Sequence, residues 1–354
     1  MKHVLHSDLK TLVQSLFEKS GCSAHESERI AHYLIEANLT GHDSHGVIRV
    51  PLYLDYLTQD RVRPGQSIDI VFQTETFAMV DGNFGFGQVI GEQATRLGIQ
   101  MAQDQSIVAI ALRNSGHLGR IGDWPTMVTR EGMISIHFVN TNGYGLLVAP
   151  FGGTERRLSA NPIAAGIPVP DGPPIILDIS TSALAEGKLK VAYNKGVDVP
   201  PNCIIDHQGN PTTDPRDFYS DPPGVLLPFG GHKGYGLGIL AEMFAGMLTG
   251  NGCSNPTNNE RLLNGMFTII INPRKLPDQS EAQQEVTSYI DYLKSSARAP
   301  GFSEILVPGE PEERTRSQRL ETGIPLDDTT WQSLVESALH AGMSREAIEN
   351  MPLD

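Results

Sequence analysis

The chain has 354 residues and carries 27 Lys and Arg against 41 Asp and Glu, a formal charge of −14. At roughly 150 residues per domain, that length asks for two or three domains. A content of 39% hydrophobic and 19% charged residues belongs to a folded chain rather than a disordered one. So acidic a surface repels phosphate backbones and anionic lipid, which excludes general nucleic-acid and membrane-surface binding and leaves room for a local basic pocket. Three widely spaced cysteines, Cys22, Cys203 and Cys253, read as reduced thiols of a cytoplasmic protein. The opening MKHVLHSDLKTL is too polar for a signal peptide, and no run approaches the ~20 apolar residues of a membrane span.

Residues 7–59 read as helical. Ser7 is a candidate N-cap, Leu9, Leu12, Val13, Leu16 and Phe17 recur at helical spacing, and Gly21 is the stop. A second helix from about Ser23 buries Ile30, Tyr33, Leu34 and Ala37 and ends at GHDSHG. From Val71 the text turns to short β-forming runs: FAMVDG, SIVAIALRN, MISIHFVN, PIILDIS and FTIIINP, with helical text between some of them. Leu237, Leu240, Phe244 and Leu248 read as the core face of a helix following a glycine-rich loop. The tail from about Glu281 is helical and polar, its last clear helix being WQSLVESALHAGM. The class is mixed α/β, with helices at both chain ends that can pack on each other.

Four segments concentrate chemistry. In GHDSHGVIR at 41–49, a helix starting near Gly46 puts Arg49 and Tyr53 four apart on one face with His45 just before it. Arg49 suits a carboxylate held by two parallel hydrogen bonds, and His45 a proton transfer beside it. The plain alternative is that Asp43 and Ser44 merely cap the helix. His117 lies in RNSGHLGR between a strand and a helix, where a nearby helix start favours neutral imidazole. In GFGQVIG at 85–91 the glycines are spaced GxGxxxG, with no acidic residue ending the next strand, so they read as turn and close-packing positions rather than a dinucleotide fingerprint. PFGGHKGYGLG surrounds His232 and Lys233 with five glycines at a helix start, which suits a phosphate or carboxylate or, equally, close helix packing. Asp178, at the end of an apolar run, either accepts hydrogen bonds from a ligand or caps the next helix. A metal reading of His42, His45 and His117 lacks the HExxH spacing.

Taken together, GHDSHGVIRVP, NSGHLGRIGDW, PFGGTERRLSANPIAAGIP, LDISTSALAEGK, GNPTTDP, GGHKGYGLGILAEMFAGMLTG and ILVPGE resemble, in order and over nearly the whole chain, the type-2 malate/L-lactate dehydrogenases. HDSHG, GRIG, HKGYG and the GIPLD at 323–327 look closest to its hydroxycarboxylate dehydrogenase branch. The resemblance implies an oxidoreductase that interconverts a 2-hydroxycarboxylate and its 2-oxo acid with NAD, or NADP in its place. A cyclic imino carboxylate or ureidoglycolate-type substrate is the alternative. It further implies a non-Rossmann, largely antiparallel coenzyme-binding sheet, a homodimer with its active site near the subunit interface, and a division into four segments. These are a helical 1–75 packing with 281–354, a substrate-side 76–117, and a coenzyme-binding 118–280. By the same resemblance His45 and His117 are the acid/base candidates, Ser44 orients His45, and Arg49 with Tyr53 binds the substrate carboxylate. Thr141, Asp178, Ile179, Ser180, His232, Lys233, Pro308, Gly309 and Glu310 match coenzyme contacts, and no metal is implied.

Overall fold

The structure is a computed structural model describing residues 2–143, 145–255, 257, 261–277 and 279–344, the side chains of 279–283 excepted. The chain begins with strand β1 (Lys2–Val4), then helices α1 (His6–Lys19), α2 (Ala24–Leu39) and α3 (Val50–Thr58). The α1 apolar stripe of Leu9, Leu12, Val13, Leu16 and Phe17 is fully buried. Ser7 is not its cap: α1 starts a residue earlier, at His6, directly out of β1. Ser23 does cap α2, its hydroxyl accepting from the Glu26 N–H at 3.2 Å.

Next come β2 (Asp69–Gln73), β3 (Phe77–Asp81), α4 (Gly87–Ala102), β4 (Ile107–Ser115), α5 (Asp123–Arg130), β5 (Ile134–Asn142), β6 (Pro162–Ile167) and β7 (Ile175–Ser180). A smaller lobe follows with α6 (Glu186–Lys195), β8 (Ile204–Ile205), β9 (Pro211–Thr212), α7 (Pro215–Phe218) and β10 (Val225–Leu226). Then α8 (His232–Ala241) runs into a π-helical stretch, Glu242–Met247, and the chain closes with β11 (Leu263–Ile271), α9 (Gln279–Lys294), α10 (Glu310–Thr322), β12 (Ile324–Leu326) and α11 (Asp328–His340).

The main sheet has seven strands in the order β2-β3-β4-β11-β5-β6-β7. Among the described residues only β3 and β4 run parallel and every other neighbour is antiparallel, so this is not a doubly wound parallel sheet. β6 was not evident in the sequence because ANPIAAGIP is built of small residues. Their size is what lets α5 pack closely, since a side chain at Gly166 would strike Pro125 and Thr129. The two chain ends do meet: β1 pairs antiparallel with β12, and one apolar cluster joins Leu9, Phe17, Ile30 and Leu34 to Ile324, Trp331 and Leu334. A second cluster, with Trp124, Ile90 and Leu112, lies between the sheet and α4 and α5.

Two core expectations fail on α8 and its extension. Leu240 is 45% and Leu248 40% exposed. α8 instead turns Gly234 and Gly238 toward Thr181, close enough that only glycine fits at 234, and this holds the leucines outward.

Candidate active site

The chain between α2 and α3 makes two single 3-10 turns, Asp43–His45 and Val47–Arg49. The helix expected from Gly46 therefore starts at Val50, with Pro51 in its first turn, where a missing N–H costs nothing. These turns are held from outside. Buried Asn38 donates to Asp43 Oδ1 at 2.7 Å and accepts from the Val47 N–H at 2.8 Å. Arg319 of α10 ion-pairs with Asp43, and His42 lies 3.6 Å from Glu312. Asp43 and Ser44 make no capping hydrogen bond, so the plain capping alternative does not hold.

His45 and His117 stack face to face, ring centroids 5.7 Å apart and planes 12° from parallel. Each is backed by a hydroxyl: Ser44 Oγ lies 3.1 Å from His45 Nδ1, and the Tyr53 phenol 2.6 Å from His117 Nδ1. Gln88 Nε2 in turn donates to the Tyr53 oxygen at 3.1 Å. Arg49 donates through Nε to the Ser44 carbonyl at 2.7 Å, and no described residue takes a hydrogen bond from its two terminal nitrogens. That fixes the guanidinium with one edge still available for a carboxylate.

Burial and the adjacent Arg49 charge push His45 down to about 3 and His117 well below its ordinary value, so both rings are neutral near pH 7. The helix start proposed to keep His117 neutral is not the cause, because α5 begins six residues later, at Asp123. Burial pushes the Tyr53 phenol up to about 12.

One end of the sheet gathers the remaining pieces. β4 runs out at Ser115 into the loop bearing His117, opposite Asn264 of β11, which in turn pairs with Thr141 of β5. Asn264 accepts from the Leu118 N–H at 2.9 Å and donates to the Thr141 hydroxyl at 3.1 Å. Asp178 on β7 accepts from the Gly122 N–H at 2.7 Å, tying that strand to the His117 loop instead of capping the following helix. Ser180 Oγ lies 2.7 Å from Ser182 Oγ, and Ile179 pairs with Ile163 of β6. Gly187, in the first turn of α6, lies against Ser44, so the small lobe reaches the histidine pair. Gly87 lies so close to the His117 carbonyl that no side chain fits, which makes the 85–91 glycines packing positions, as their spacing suggests.

Pro308 accepts from the Ile176 N–H at 3.0 Å, docking the Pro308, Gly309 and Glu310 turn on the outer edge of β7. Glu310 also closes that turn, accepting from the Val307 N–H at 3.0 Å. His232 and Lys233 stand apart, exposed at the start of α8, and no described contact joins them to the histidines.

A profile of the malate/L-lactate dehydrogenases matches residues 4–335. The chain belongs to this family. It is 39% identical over 345 residues to hydroxycarboxylate dehydrogenase B of Escherichia coli K12, covering 96% of this chain and 95% of that one. Among solved structures, sulfolactate dehydrogenase from Methanocaldococcus jannaschii superposes with a TM-score of 0.88 at 33% identity, over 99% of each chain. Delta1-piperideine-2-carboxylate reductase from Pseudomonas syringae pvar. tomato does so with a TM-score of 0.82 at 27% identity, over 96% of this chain and 100% of the other. Membership makes this malate/L-lactate dehydrogenase relative an oxidoreductase of hydroxy acids.

Three residues of the site escaped sequence reasoning in this family member: Asn38, Gln88 and Asn264. All three are polar and at least 97% buried. The available signal was a polar side chain on the apolar face of its element, as Asn38 is beside Ala31, Leu34 and Ile35 on α2.

Proposed function

We propose that the protein oxidises a small 2-hydroxycarboxylate to its 2-oxo acid, and reduces it back, with a nicotinamide coenzyme. The observation that carries the reading is the pair of neutral histidines stacked 5.7 Å apart beside the open edge of Arg49. Arg49 grips the carboxylate, and His117 takes the hydroxyl proton at the ring nitrogen turned away from Tyr53. Ser44 holds the His45 ring, which lines the opposite wall. A neutral imidazole is the form an alcohol proton requires.

The start of α8 supports the coenzyme reading. A groove of about 460 Å³, lined by Phe151, Thr154, Asn202, Pro228, Gly230 and Gly231, opens at the amino end of α8 beside exposed His232 and Lys233. That volume is in the range of small-molecule and cofactor clefts. Lys233 and His232 would meet the anionic part of the coenzyme, and Thr141, Asp178, Ile179, Ser180 and the 308–310 turn its remainder. When bound, the coenzyme supplies the hydride acceptor. NAD is the proposed form and NADP the alternative, and the segments 1–75, 76–117, 118–280 and 281–354 are the proposed division of labour.

The protein is proposed to act as a cytoplasmic homodimer, its thiols unpaired. A second copy would cover edge strand β2, where Ile70, Val71 and Phe72 are each at least 50% exposed. A cyclic imino carboxylate is the second reading, favoured by the likeness to the piperideine-2-carboxylate reductase.

The test is the decay of NADH and NADPH absorbance, in parallel, against linear 2-oxo acids and a cyclic imino acid. Decay with one coenzyme and a subset of acids is expected, whereas no decay with any pair refutes the reading. Single-turnover hydride transfer then separates the histidines: His117→Ala should lose about 10²–10⁴-fold in rate. An equal loss in His45→Ala and none in His117→Ala would reverse their roles.

A further inference from the structure

We propose that Gln88 and one water in the cavity beneath Tyr53 complete a proton relay, His117 to Tyr53 to water, on the side of the histidine away from the substrate. The proposal rests on the reading of His117 as the acid/base group.

The hydrogen-bond inventory leads there. A phenol oxygen has one proton to give and two lone pairs. One lone pair of Tyr53 is taken by the Gln88 amide N–H at 3.1 Å. With His117 Nδ1 only 2.6 Å away, two arrangements remain. In the first, Tyr53 donates to Nδ1 and the histidine proton sits on Nε2. In the second, Nδ1–H donates to Tyr53, Nε2 presents a lone pair to substrate, and the Tyr53 proton must point elsewhere.

The structure supplies the elsewhere. A cavity of about 10 Å³ is lined by Tyr53, Gln88, Tyr56, Arg61, Gly116 and His117, among others. Its volume is that of one water. Gln88 is 1% exposed, and its side-chain carbonyl, Oε1, is buried with no hydrogen-bond partner among the described residues. A water there accepts from Tyr53 and donates to Oε1, which satisfies both groups at once. The charged and titratable groups facing His117 and Tyr53 are His45, Arg49, Tyr56 and Arg61. With Arg49 beside it, a second proton on His117 is disfavoured, so a path that removes charge as it arrives has a physical purpose.

The step balances. From the second arrangement, the substrate O–H bond breaks and its proton bonds to Nε2 while the C–H hydride passes to the coenzyme. Nδ1–H breaks and its proton joins Tyr53, whose own proton passes to the water and on to solvent. This leaves the first arrangement. When the site next opens, Nε2 loses its proton to solvent and Nδ1 regains one through Tyr53. Reduction runs the same transfers backward.

The test is single-turnover hydride transfer in H2O and D2O mixtures for the wild type, Gln88→Leu, Tyr53→Phe and the double variant, with coenzyme affinity titrated by fluorescence. We expect a curved dependence on D2O fraction in the wild type, since several protons move together, and a linear one in each variant. Gln88→Leu should lose about tenfold or more in rate with coenzyme affinity unchanged, and the double variant should be no slower than Tyr53→Phe, as members of one unit are. Independent, additive losses would make Gln88 merely structural and overturn the relay. So would an unchanged rate in Gln88→Leu, or a linear wild-type dependence, which decides the matter even if the variant fails to fold. A wild type that transfers no hydride with any coenzyme and acid refutes the functional reading and the relay together, whereas transfer with a linear dependence refutes the relay alone.

Discussion

Replacing Gly187 by alanine should damage catalysis from a position that touches no substrate. A Cβ at Gly187 would stand 2.7 Å from the Ser44 Cβ. Carbon atoms in contact prefer ~3.5–4.0 Å, so the two backbones must part by about 1 Å. Neither partner can yield by rotating a side chain, because both contact atoms are Cβ. Ser44 is also held through its carbonyl by Arg49 Nε and backs His45 Nδ1 through its hydroxyl. The shift therefore reaches the proposed carboxylate grip and one histidine together.

A misplacement of about 1 Å at reacting groups costs on the order of 10²-fold in rate. Overpacking costs about 1–3 kcal/mol in stability. The assay is single-turnover hydride transfer of Gly187→Ala beside its thermal melting curve, with Gly196→Ala as a control outside the contact. A Cβ at Gly196 would meet no described residue within 4 Å, so only its left-handed backbone, φ 64°, is strained. A Gly187→Ala enzyme with wild-type rate and Tm would show that α6 does not press on Ser44, and the convergence of the two regions would be wrong.

Arg49→Lys keeps the charge but loses the fork and the Nε bond to Ser44, so KM for the acid should rise about 10–100-fold with kcat also reduced; an unchanged KM removes Arg49 from the site. Because His45 and His117 are held below their ordinary values, the free-enzyme oxidation profile should stay flat as pH falls through ~6.5; a break near 6.5 in kcat/KM would contradict the burial argument. His137 is fully buried between Ser135 and Thr268 and pushed down to about 3 by burial. Its folded value lies below its unfolded one, so its contribution to stability is complete above ~6.5 and is lost as pH falls toward 3. That amounts to about 2 kcal/mol by pH 5, read as the difference in denaturation free energy between pH 7.5 and 5, which His137→Asn should shrink. Asn38→Ala orphans the buried Val47 N–H and leaves Asp43 to Arg319 alone, and should cost about 2–4 kcal/mol by denaturant titration while lowering turnover, since the turns bearing His45 and Arg49 both hang on it.

Much of the candidate site was legible because its polar residues travel in short blocks. HDSHG with Arg49, and NSGHLGR with His117, each put an unusual density of polar and glycine residues at one point in the chain. Their spacing left proton transfer beside a carboxylate and plain helix capping equally open. Alternation of β-forming runs likewise revealed β3, β4, β5, β7 and β11, and the apolar stripes of α1 and α2 were plain, because a period of 2 or 3.6 residues is a local property. The odd, scattered cysteines read as unpaired thiols, and all three are free.

What the chain text left open depends on contacts between residues far apart in it. His45 and His117 are 72 positions apart, and nothing local says that their rings stack, or that Tyr53 rather than a helix end backs His117. Asp178 fitted both a ligand contact and a helix cap until β7 came beside the Gly122 amide. α8 looked like a leucine-faced core helix until its glycines were pressed onto Thr181. β6 was invisible because small residues carry little strand signal, and its place follows from its neighbours β5 and β7. Gln88 reads as one polar residue in the first turn of α4, and only the packing of α4 against the His117 loop turns it into a partner of Tyr53. The physical reason is common to all of these: propensity and patterning act over a few residues, whereas hydrogen-bond partners, burial and the pKa values they set belong to the surroundings that folding brings together.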